Sequence, residues 1–186
     1  MSDLILQALP LAGLYSVQHK RHGDDRGQFA RLFCEGSLDE LGTPFHVRQI
    51  NHSRTLGAGS VRGLHYQQGD LPEAKLITCL RGEVWDVAVD LRQGSPTFLH
   101  WHAEHLRAGD GRSLLIPAGF AHGFQVLSEE AELLYLHSAD YAPGREGGLS
   151  VHDPRLAIAW PLPVKNLSAR DEAHPWLDHL FTGVPA

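Results

Sequence analysis

Two short segments of the chain each place one histidine among small and aromatic residues. The first is Arg62-Gly-Leu-His65-Tyr-Gln67, and the second is Pro117-Ala-Gly-Phe-Ala-His122-Gly-Phe124. An imidazole can take up or release a proton near pH 7, because its ordinary pKa lies closest to neutrality. Since the neighbouring residues are mostly uncharged, we expect both rings to line a sheltered pocket. Other histidines have polar or loop-like surroundings and are expected to be ordinary: His19, His22, His46, His174 and His179.

Three further residue types complete a set that suits proton transfer at carbon. Lys75 supplies a cation, Asp86 a carboxylate and Tyr135 a neutral acid. Each also has a structural interpretation: a lysine at a strand end, a solvated carboxylate and a core aromatic residue. Asp86 could equally orient a histidine or lysine across a barrel. The pattern alone leaves these alternatives open.

A second histidine pair offers a metal-binding alternative. Gly94 and the later His100-Trp-His102 resemble the opening of the metal-binding signature of cupins, and histidines at i and i+2 share a strand face. That signature next requires a glutamate, but the corresponding positions hold Leu106 and Arg107. We therefore expect His100 and His102 to face solvent, with Trp101 and Ala103 facing inward.

The segment around His65 also lacks the usual second metal ligand of such proteins. Its i+2 residue is Gln67, whose neutral amide is a poor ligand for zinc or iron. His65 is therefore predicted to act as a base, and we expect neither a metal nor another cofactor.

Composition limits the classes of protein to which the chain can belong. Its 186 residues most simply form one domain spanning 1–186, long enough for a real core. A net charge of -6 and the lack of a Lys/Arg run argue against nucleic-acid binding. No segment has the apolar length needed to cross a membrane. Cys34 and Cys79 are far apart and no signal-type segment is seen, so we predict reduced thiols and a cytoplasmic protein.

Turn residues recur every few positions and separate short apolar runs, a spacing typical of β-sandwiches and barrels. In one run Trp85, Val87 and Val89 alternate with Asp86 and Asp90, which is the period of a strand. We predict strands at Phe45 to Asn51, Lys75 to Leu80, Val84 to Leu91, Thr97 to Ala103, Ser113 to Ile116, His122 to Leu127 and Glu132 to His137. Short helices are predicted at Ser37 to Gly42 and Pro175 to Leu180. The predicted fold is an all-β antiparallel double-sheet roll with a few short peripheral helices.

Strict alternation creates a problem at the first histidine segment. It would place Arg62 and His65 on opposite faces of one strand, where they could not easily share a pocket. A β-bulge at Gly63 would resolve this, since a bulge inserts an extra residue and reverses the facing of the residues beyond it.

Many blocks, in order from about Asp24 to Trp176, give the chain a close resemblance to a known family. It resembles the dTDP-4-dehydrorhamnose 3,5-epimerase family, cupin-fold (double-stranded β-helix, jelly-roll) enzymes of deoxysugar biosynthesis. The matching blocks include Asp25-Arg26-Gly27-Gln28-Phe29, Gln49-Ile-Asn51-His-Ser53, Arg62-Gly-Leu-His-Tyr-Gln67, Lys75-Leu76, Gly82-Glu-Val-Trp-Asp86, Ile116-Pro-Ala-Gly-Phe-Ala-His122-Gly-Phe124, Tyr135, Tyr141-Ala-Pro143 and Leu167-Ser-Ala-Arg-Asp171.

The resemblance implies a substrate and a set of catalytic roles. The substrate would be a dTDP-4-keto-6-deoxyhexose, epimerised at C3 and C5. His65 would remove the proton beside the C4 ketone, and Asp171 would fix its tautomer. Lys75 would stabilise the enolate oxygen, and Tyr135 would deliver a proton to the opposite face.

The resemblance also implies binding roles and a homodimer. Arg26 and Phe29 would reach the nucleotide from the neighbouring subunit. Arg31 departs from the glutamate of many members, and Arg170 replaces a common lysine. The positions implied to contact substrate are Arg26, Phe29, Arg31, Gln49, Asn51, Arg62, His122, Tyr141, Glu146 and Arg170.

Several alternatives stay open. A C3-only or C5-only epimerase, or a 3,4-ketoisomerase, would use much of the same equipment. A metal-dependent cupin holding an ion between His65 and His122 belongs to a different class. So does a non-catalytic cupin that only binds a sugar nucleotide.

Overall fold

The computed structural model describes residues 3–40, 42–69 and 71–185. Nearly all of its regular structure is β-strand, and its helices are two short α-helices, α1 (Glu35–Glu40) and α2 (Ala169–Glu172), and a 3₁₀ turn at Pro143–Arg145. The strands are β1 (Leu4–Ala8), β2 (Tyr15–His19), β3 (Arg21–Asp24), β4 (Gly27–Ala30), β5 (Gln49–Leu56), β6 (Val61–Gln67), β7 (Lys75–Arg81), β8 (Glu83–Asp90), β9 (Trp101–Arg107), β10 (Arg112–Ile116), β11 (Phe120–Val126), β12 (Glu130–His137) and β13 (Glu146–Gly148).

Two antiparallel sheets form the body of the protein. The first has the strand order β1-β2-β10-β7-β12-β5, and the second has the order β13-β6-β11-β8-β9. A separate hairpin, β3 with β4, stands apart from both. Strands adjacent in a sheet are often distant in the chain, as in a roll rather than a simple meander. The prediction of an all-β antiparallel double-sheet roll is confirmed.

Three apolar clusters hold the layers together. One lies between the sheets and joins Ile77 and Leu133 of the first sheet to Ala88 and Phe124 of the second. The other two cover the outer faces, one under the C-terminal segment and one under α1. Both faces of the central strands are therefore buried, so even the polar side of β8 lies inside the protein.

Most of the predicted strands are present with small shifts at their ends. The strands predicted at 75–80, 84–91, 113–116, 122–127 and 132–137 correspond to β7, β8, β10, β11 and β12. The helix predicted at Ser37 to Gly42 is present as α1, although Leu41 lies outside the described residues.

Three predicted elements are wrong in whole or part. The strand predicted from Phe45 begins only at Gln49, because Phe45 packs edge-on against Phe33 outside the first sheet. The strand predicted from Thr97 begins at Trp101, because Thr97 and its neighbours form a turn around the Asp90 carboxylate.

No helix forms at Pro175 to Leu180. The backbone there bonds to other segments, with the Pro175 carbonyl accepting from Ser150 and the Leu177 amide donating to Asp153. Leu177 is buried against the second sheet, so tertiary packing outweighs the local helical preference. The real helix, α2, begins six residues earlier.

The predicted bulge at Gly63 is confirmed. Between β6 and β11, His65 pairs with His122 and Arg62 pairs with Phe124, so two residues of β6 face the single Gly123. Gly63 has a φ of 123°, and a Cβ there would lie 2.6 Å from the Cα of Gly123. Only glycine fits this position without displacing the neighbouring strand.

Two smaller expectations can be compared with the fold. Both cysteines are free thiols, as predicted. Within the described part of the chain, no helix is long and apolar enough to span a membrane. The cytoplasmic location stays a prediction.

Candidate active site

A cavity of about 220 Å³ opens between the two sheets. The first sheet contributes residues from β5, β7 and β12, and the second contributes residues from β6 and β11. The pairing of these strands arranges the side chains in rows across the first sheet. His137 is paired with Gln49 on one side and with Lys75 on the other. Two residues along β12, Tyr135 is paired with Asn51. The cavity is lined by Gln49, Asn51, His52, Ser53, His65, Tyr66, Gln67, Glu73, Lys75, His122, Tyr135, His137, Tyr141 and Glu146.

His65 is held by a buried carboxylate. Its Nε2 donates to the Asp171 Oδ1 at 2.7 Å, and the Asp171 residue is 5% exposed. The Ser168 side chain caps helix α2 by accepting from the Asp171 amide, which fixes the carboxylate at the start of that helix. Because the proton lies on Nε2, the unprotonated nitrogen of the ring is Nδ1.

The environment of His65 favours its neutral form. Burial lowers the pKa of His65, and the charge of Lys75 lowers it further. The hydrogen bond and negative charge of Asp171 act in the opposite direction, but the net pKa stays below the ordinary histidine value. The ring is thus a free base at neutral pH.

His122 has a different carboxylate partner. Its Nε2 lies 3.0 Å from both oxygens of Asp86, which is completely buried. Asp86 therefore points between the sheets and bonds to a histidine, which matches one of the two interpretations of that residue and excludes the solvated one. The His122 ring also meets Tyr135 edge-on, with 6.2 Å between ring centroids.

Tyr135 presents a protonated phenol to the cavity. Its hydroxyl lies 3.1 Å from the Ser53 Oγ on the adjacent strand β5. Burial raises the pKa of Tyr135 well above its ordinary value, and the charge of Asp86 raises it further, whereas the Ser53 bond lowers it. The phenol is accordingly a proton donor that stays neutral throughout the physiological range.

Lys75 belongs to a buried network that the sequence pattern did not reveal. Its Nζ lies 3.3 Å from one oxygen of Glu73, and the other Glu73 oxygen accepts from the His137 Nδ1 at 2.8 Å. The Asn51 amide in turn donates to the His137 Nε2 at 3.2 Å. The side chains of Lys75 and Glu73 are only 9% and 8% exposed.

The Glu73 carboxylate stays ionised in this network. Burial alone would raise the pKa of Glu73, but the bond from His137 and the charge of Lys75 outweigh it and hold the pKa below its ordinary value. The cavity therefore has an ammonium group with a fixed counterion on the wall of the first sheet.

Three of the expected contact residues form a cluster at the rim. Glu146 Oε2 accepts from the Tyr141 hydroxyl at 3.0 Å and from Arg170 at 2.9 Å. Tyr141 is more than half exposed, so the cluster borders the cavity entrance. Gln49 and Asn51 line the cavity from β5.

Five expected contact residues lie outside the cavity lining, namely Arg170 of the rim cluster and Arg26, Phe29, Arg31 and Arg62. Arg62 is exposed, its Nε donates to the Thr55 hydroxyl on β5, and it borders a neighbouring cleft with Asp171. Arg26 and Phe29 lie on the β3–β4 hairpin and are largely exposed. Arg31 pairs with Asp3 at 2.9 Å.

The structure adds two histidines to the candidate site, of which His137 is buried and His174 is partly buried. His137 carries the Glu73 network, and His174 contacts both Asp171 and His65. The spacing of three between Asp171 and His174 around a helix end was the one available signal for His174. The expectation that His174 is an ordinary histidine in polar or loop-like surroundings is wrong, because its side chain is only 12% exposed.

The histidine pair at the start of β9, His100 just before the strand and His102 within it, lies away from the cavity. His100 is exposed, and His102 is partly buried and bonds to Glu104 at 2.7 Å, so the prediction of solvent exposure holds for the first only. Trp101 and Ala103 pack against the outer core cluster, as predicted.

Comparison with known proteins gives a consistent family. Residues 8–179 match the family model described as dTDP-4-dehydrorhamnose 3,5-epimerase. A protein of that name from Salmonella typhimurium is 43% identical over 180 residues, covering 96% of this chain and 97% of the relative.

Solved structures agree with this result. A crystal structure from Legionella pneumophila, of dTDP-6-deoxy-D-glucose-3,5-epimerase with dTDP-4-keto-L-rhamnose, has a TM-score of 0.89 and 40% identity, covering 95% of this chain and 94% of that one. A 3'-monoepimerase from Streptomyces bikiniensis, in complex with dTDP-quinovose, has a TM-score of 0.84 and 37% identity, covering 90% and 85%. The predicted cupin-type roll is shared with these epimerases. The chain therefore belongs to the dTDP-4-dehydrorhamnose 3,5-epimerase family of isomerases.

Proposed function

We propose that the protein epimerises dTDP-4-dehydro-6-deoxy-D-glucose at C3 and C5 to give dTDP-4-dehydro-L-rhamnose, without a metal or cofactor. The observation that carries this proposal is that His65, Lys75 and Tyr135 line one cavity in a member of this family. These three side chains are the base, the oxyanion-stabilising cation and the acid that such a reaction requires.

The first step is proton abstraction by His65. Its Nδ1 lone pair takes the proton from the carbon beside the C4 ketone, and the C–H electron pair moves to the C4 oxygen as an enolate. The Asp171 carboxylate accepts the hydrogen bond from Nε2, with 2.7 Å between Nε2 and Oδ1, and stabilises the imidazolium that results. The Lys75 ammonium stabilises the negative oxygen, and Glu73 holds that ammonium at the wall.

The second step is delivery of a proton to the opposite face by Tyr135. The enolate collapses to the ketone as carbon takes the phenolic proton, which inverts the centre. The phenolate then regains a proton from water, and His65 releases the one it took. Ser53 accepts from or donates to the phenolic oxygen at 3.1 Å, and so orients the hydroxyl before and after transfer.

The remaining residues suit binding of the diphosphate and sugar. Arg62 suits an anionic group, because its guanidinium can bond two oxygens at once. Gln49, Asn51 and His122 provide hydrogen-bonding groups inside the cavity. We assign the rim cluster of Tyr141, Glu146 and Arg170 to substrate contact, because its polar groups border the cavity entrance.

We further propose that the whole chain is one domain and works as a homodimer. Arg26 and Phe29 are exposed on a hairpin separate from both sheets, and they do not line the cavity of their own chain. An exposed aromatic residue and a cation on such an arm suit a nucleotide in the partner's site. Arg31, paired with Asp3, would contribute at the same end.

A second candidate function is inversion at a single carbon. It is favoured by the similarity to the 3'-monoepimerase from Streptomyces bikiniensis. The TM-score of that structure, 0.84, is only slightly lower than the 0.89 of the 3,5-epimerase from Legionella pneumophila. The same base, cation and acid would serve, since each inversion uses one abstraction and one delivery.

One experiment separates the two candidates. The protein is incubated with dTDP-4-keto-6-deoxyglucose in D₂O, and ¹H NMR follows loss of the C3 and C5 protons. Exchange and inversion at both carbons support the first proposal, and exchange at one carbon supports the second. Full activity after EDTA treatment and desalting is expected, and activity that is lost with EDTA and restored by a metal would overturn the mechanism.

A further inference from the structure

The Asp171 carboxylate lies between two imidazoles rather than one. Its Oδ1 is 2.7 Å from the His65 Nε2 and 3.6 Å from the His174 Nε2. The two rings meet edge-on, with centroids 5.5 Å apart and planes at 75°. Among the residues that the structure describes, these three form a group whose ligand atoms all lie within 4.8 Å of one another.

The His174 Nε2 atom lacks a hydrogen-bond partner although it is buried. Leaving a buried polar atom unpaired is destabilising, so such an atom calls for an explanation. The proposed reaction does not supply one, since His65 and Asp171 already satisfy each other. A ligand shared by the two histidines and the carboxylate would.

The position of the His174 ring is fixed by a glycine. A Cβ at Gly148 would overlap the Cε1 and Nε2 atoms of His174, so the ring occupies the space that any other residue would fill. Gly148 is also paired with His65 across β13 and β6. The same backbone contact therefore sets both rings relative to each other.

We propose that His65, Asp171 and His174 form a binding site for Zn²⁺ or a similar borderline divalent ion. Bonds of about 2.0–2.1 Å to zinc place tetrahedral ligand atoms roughly 3.3 Å apart. The two distances to Asp171 Oδ1 lie on either side of that value. Small shifts of the rings would complete three protein ligands, and a water molecule would be the fourth ligand of a tetrahedral ion.

Occupancy of this site inhibits epimerisation, a consequence that rests on the proposed function of His65. Zinc can bind only the lone pair of Nε2, so the ring proton must leave Nε2. In the neutral ring that proton moves to Nδ1, which then no longer has a lone pair to accept the proton of the sugar. The metal thus acts as an inhibitor that sequesters the base, and its removal leaves the enzyme active.

The test uses untagged full-length protein stripped with EDTA, with Co²⁺ absorption and Zn²⁺ calorimetry as readouts. His174→Ala is compared with His179→Ala, which removes an imidazole that is 87% exposed and outside the group. We expect one ion per chain in the unmodified protein and in His179→Ala, and an affinity lower by at least about tenfold in His174→Ala. Equal affinity in both variants, or no stoichiometric binding at all, would overturn the proposal.

Two further measurements keep the outcome clear. Histidine-ring NMR of the unmodified protein should show His65 and His174 shifting together on addition of Zn²⁺, which does not depend on the stability of a variant. Shifts confined to other histidines would refute the site. Zn²⁺ should also inhibit turnover of the unmodified protein, and inhibition should be weaker in His174→Ala. Binding with unchanged turnover would uphold the metal site and contradict the role of His65 as the base.

Discussion

His65 and His122 lie directly opposite each other on neighbouring antiparallel strands, yet each bonds to a different carboxylate. Asp171 holds the first from a helix near the C-terminus, and Asp86 holds the second from the middle of the same sheet. Opposed residues of an antiparallel pair share a face, so both imidazoles point between the sheets. Two histidines in one row thus have separate partners, which allows one to exchange protons while the other stays fixed.

If Tyr135 is the proton donor, Tyr135→Phe should separate proton exchange from inversion. His65 would still remove and return the proton on one face, so deuterium should enter the substrate without a change of configuration. Inversion should fall by roughly 10²–10⁴-fold. NMR in D₂O measures both quantities in one sample.

Tyr66→Phe is the matched control, because Tyr66 lines the same cavity. It should retain inversion close to that of the unmodified protein. Loss of exchange together with inversion in Tyr135→Phe would show that Tyr135 acts in binding or in the first step.

Asp171→Asn should move the acid limb of the pH profile of kcat/KM to lower pH. The active form of His65 is the neutral ring, so activity falls as pH drops through its pKa, which already lies below the ordinary value because of burial. Asp171 raises that pKa, so its removal lowers it further, while the rate drops at every pH. Asp86→Asn, which removes the partner of His122 instead, should leave the position of the limb unchanged. An upward shift in Asp171→Asn would be inconsistent with His65 as the base.

Glu73→Gln should destabilise the fold and slow the reaction. It leaves the buried Lys75 ammonium without its counterion, and breaking a buried pair costs roughly 3–5 kcal/mol. Urea unfolding measures the loss, and Glu132→Gln, in a more exposed pair, should cost about 1 kcal/mol or less.

The pH dependence of this loss has a definite sign. The folded-state pKa of Glu73 is lowered, so its contribution is present above the unfolded-state pKa and disappears as pH falls through the folded-state pKa. The stability difference between the two proteins should therefore shrink in acid. A difference that stays constant down to acid pH would show that Glu73 acts through packing alone.

Gly63→Ala should lower stability and activity together. The added Cβ would meet the His122 carbonyl oxygen at 2.8 Å, and the backbone conformation is strained for any L side chain, at a cost of about 1–3 kcal/mol. Displacement of β11 would move His122 relative to His65. Gly36→Ala in α1 is the control, since a Cβ there meets nothing within 4 Å. Normal kcat in a folded Gly63→Ala protein would argue against the bulge as the device that positions the site.

Mixing two inactive variants should restore activity if the hairpin acts across a dimer. One chain carries His65→Ala, and the other carries Arg26→Ala with Phe29→Ala. A hybrid dimer has one intact site, so random exchange should restore about a quarter of the sites. Absence of recovery, despite hybrids detected by native mass spectrometry, would place the action of the hairpin within its own chain.

The central strands and the chemical types at the site follow from the sequence by itself. Alternating apolar residues and turn spacing predicted β7, β8, β10, β11 and β12. These apolar runs have to be buried in any fold of the chain, so their strands can be predicted without knowing the topology. The bulge was predictable from the conflict between Arg62 and His65, together with a glycine between them. His65 and His122 were identifiable from their surroundings, whereas residue type alone left a structural interpretation of Lys75, Asp86 and Tyr135 open.

Tertiary structure alone decided which partners these residues have. Glu73 lies beside Lys75 in the sequence, but His137 is far away in the chain and reaches Glu73 only because β7 and β12 are neighbours. His174 reaches His65 because Gly148 leaves space for its ring. The C-terminal segment from Pro175 has a helical pattern but is irregular, since its backbone bonds to other segments and Leu177 is buried against the second sheet. The local sequence specifies the backbone conformation of the strands and the chemistry of each side chain. The pairing of strands that are distant in the chain determines which side chains contact each other at the site.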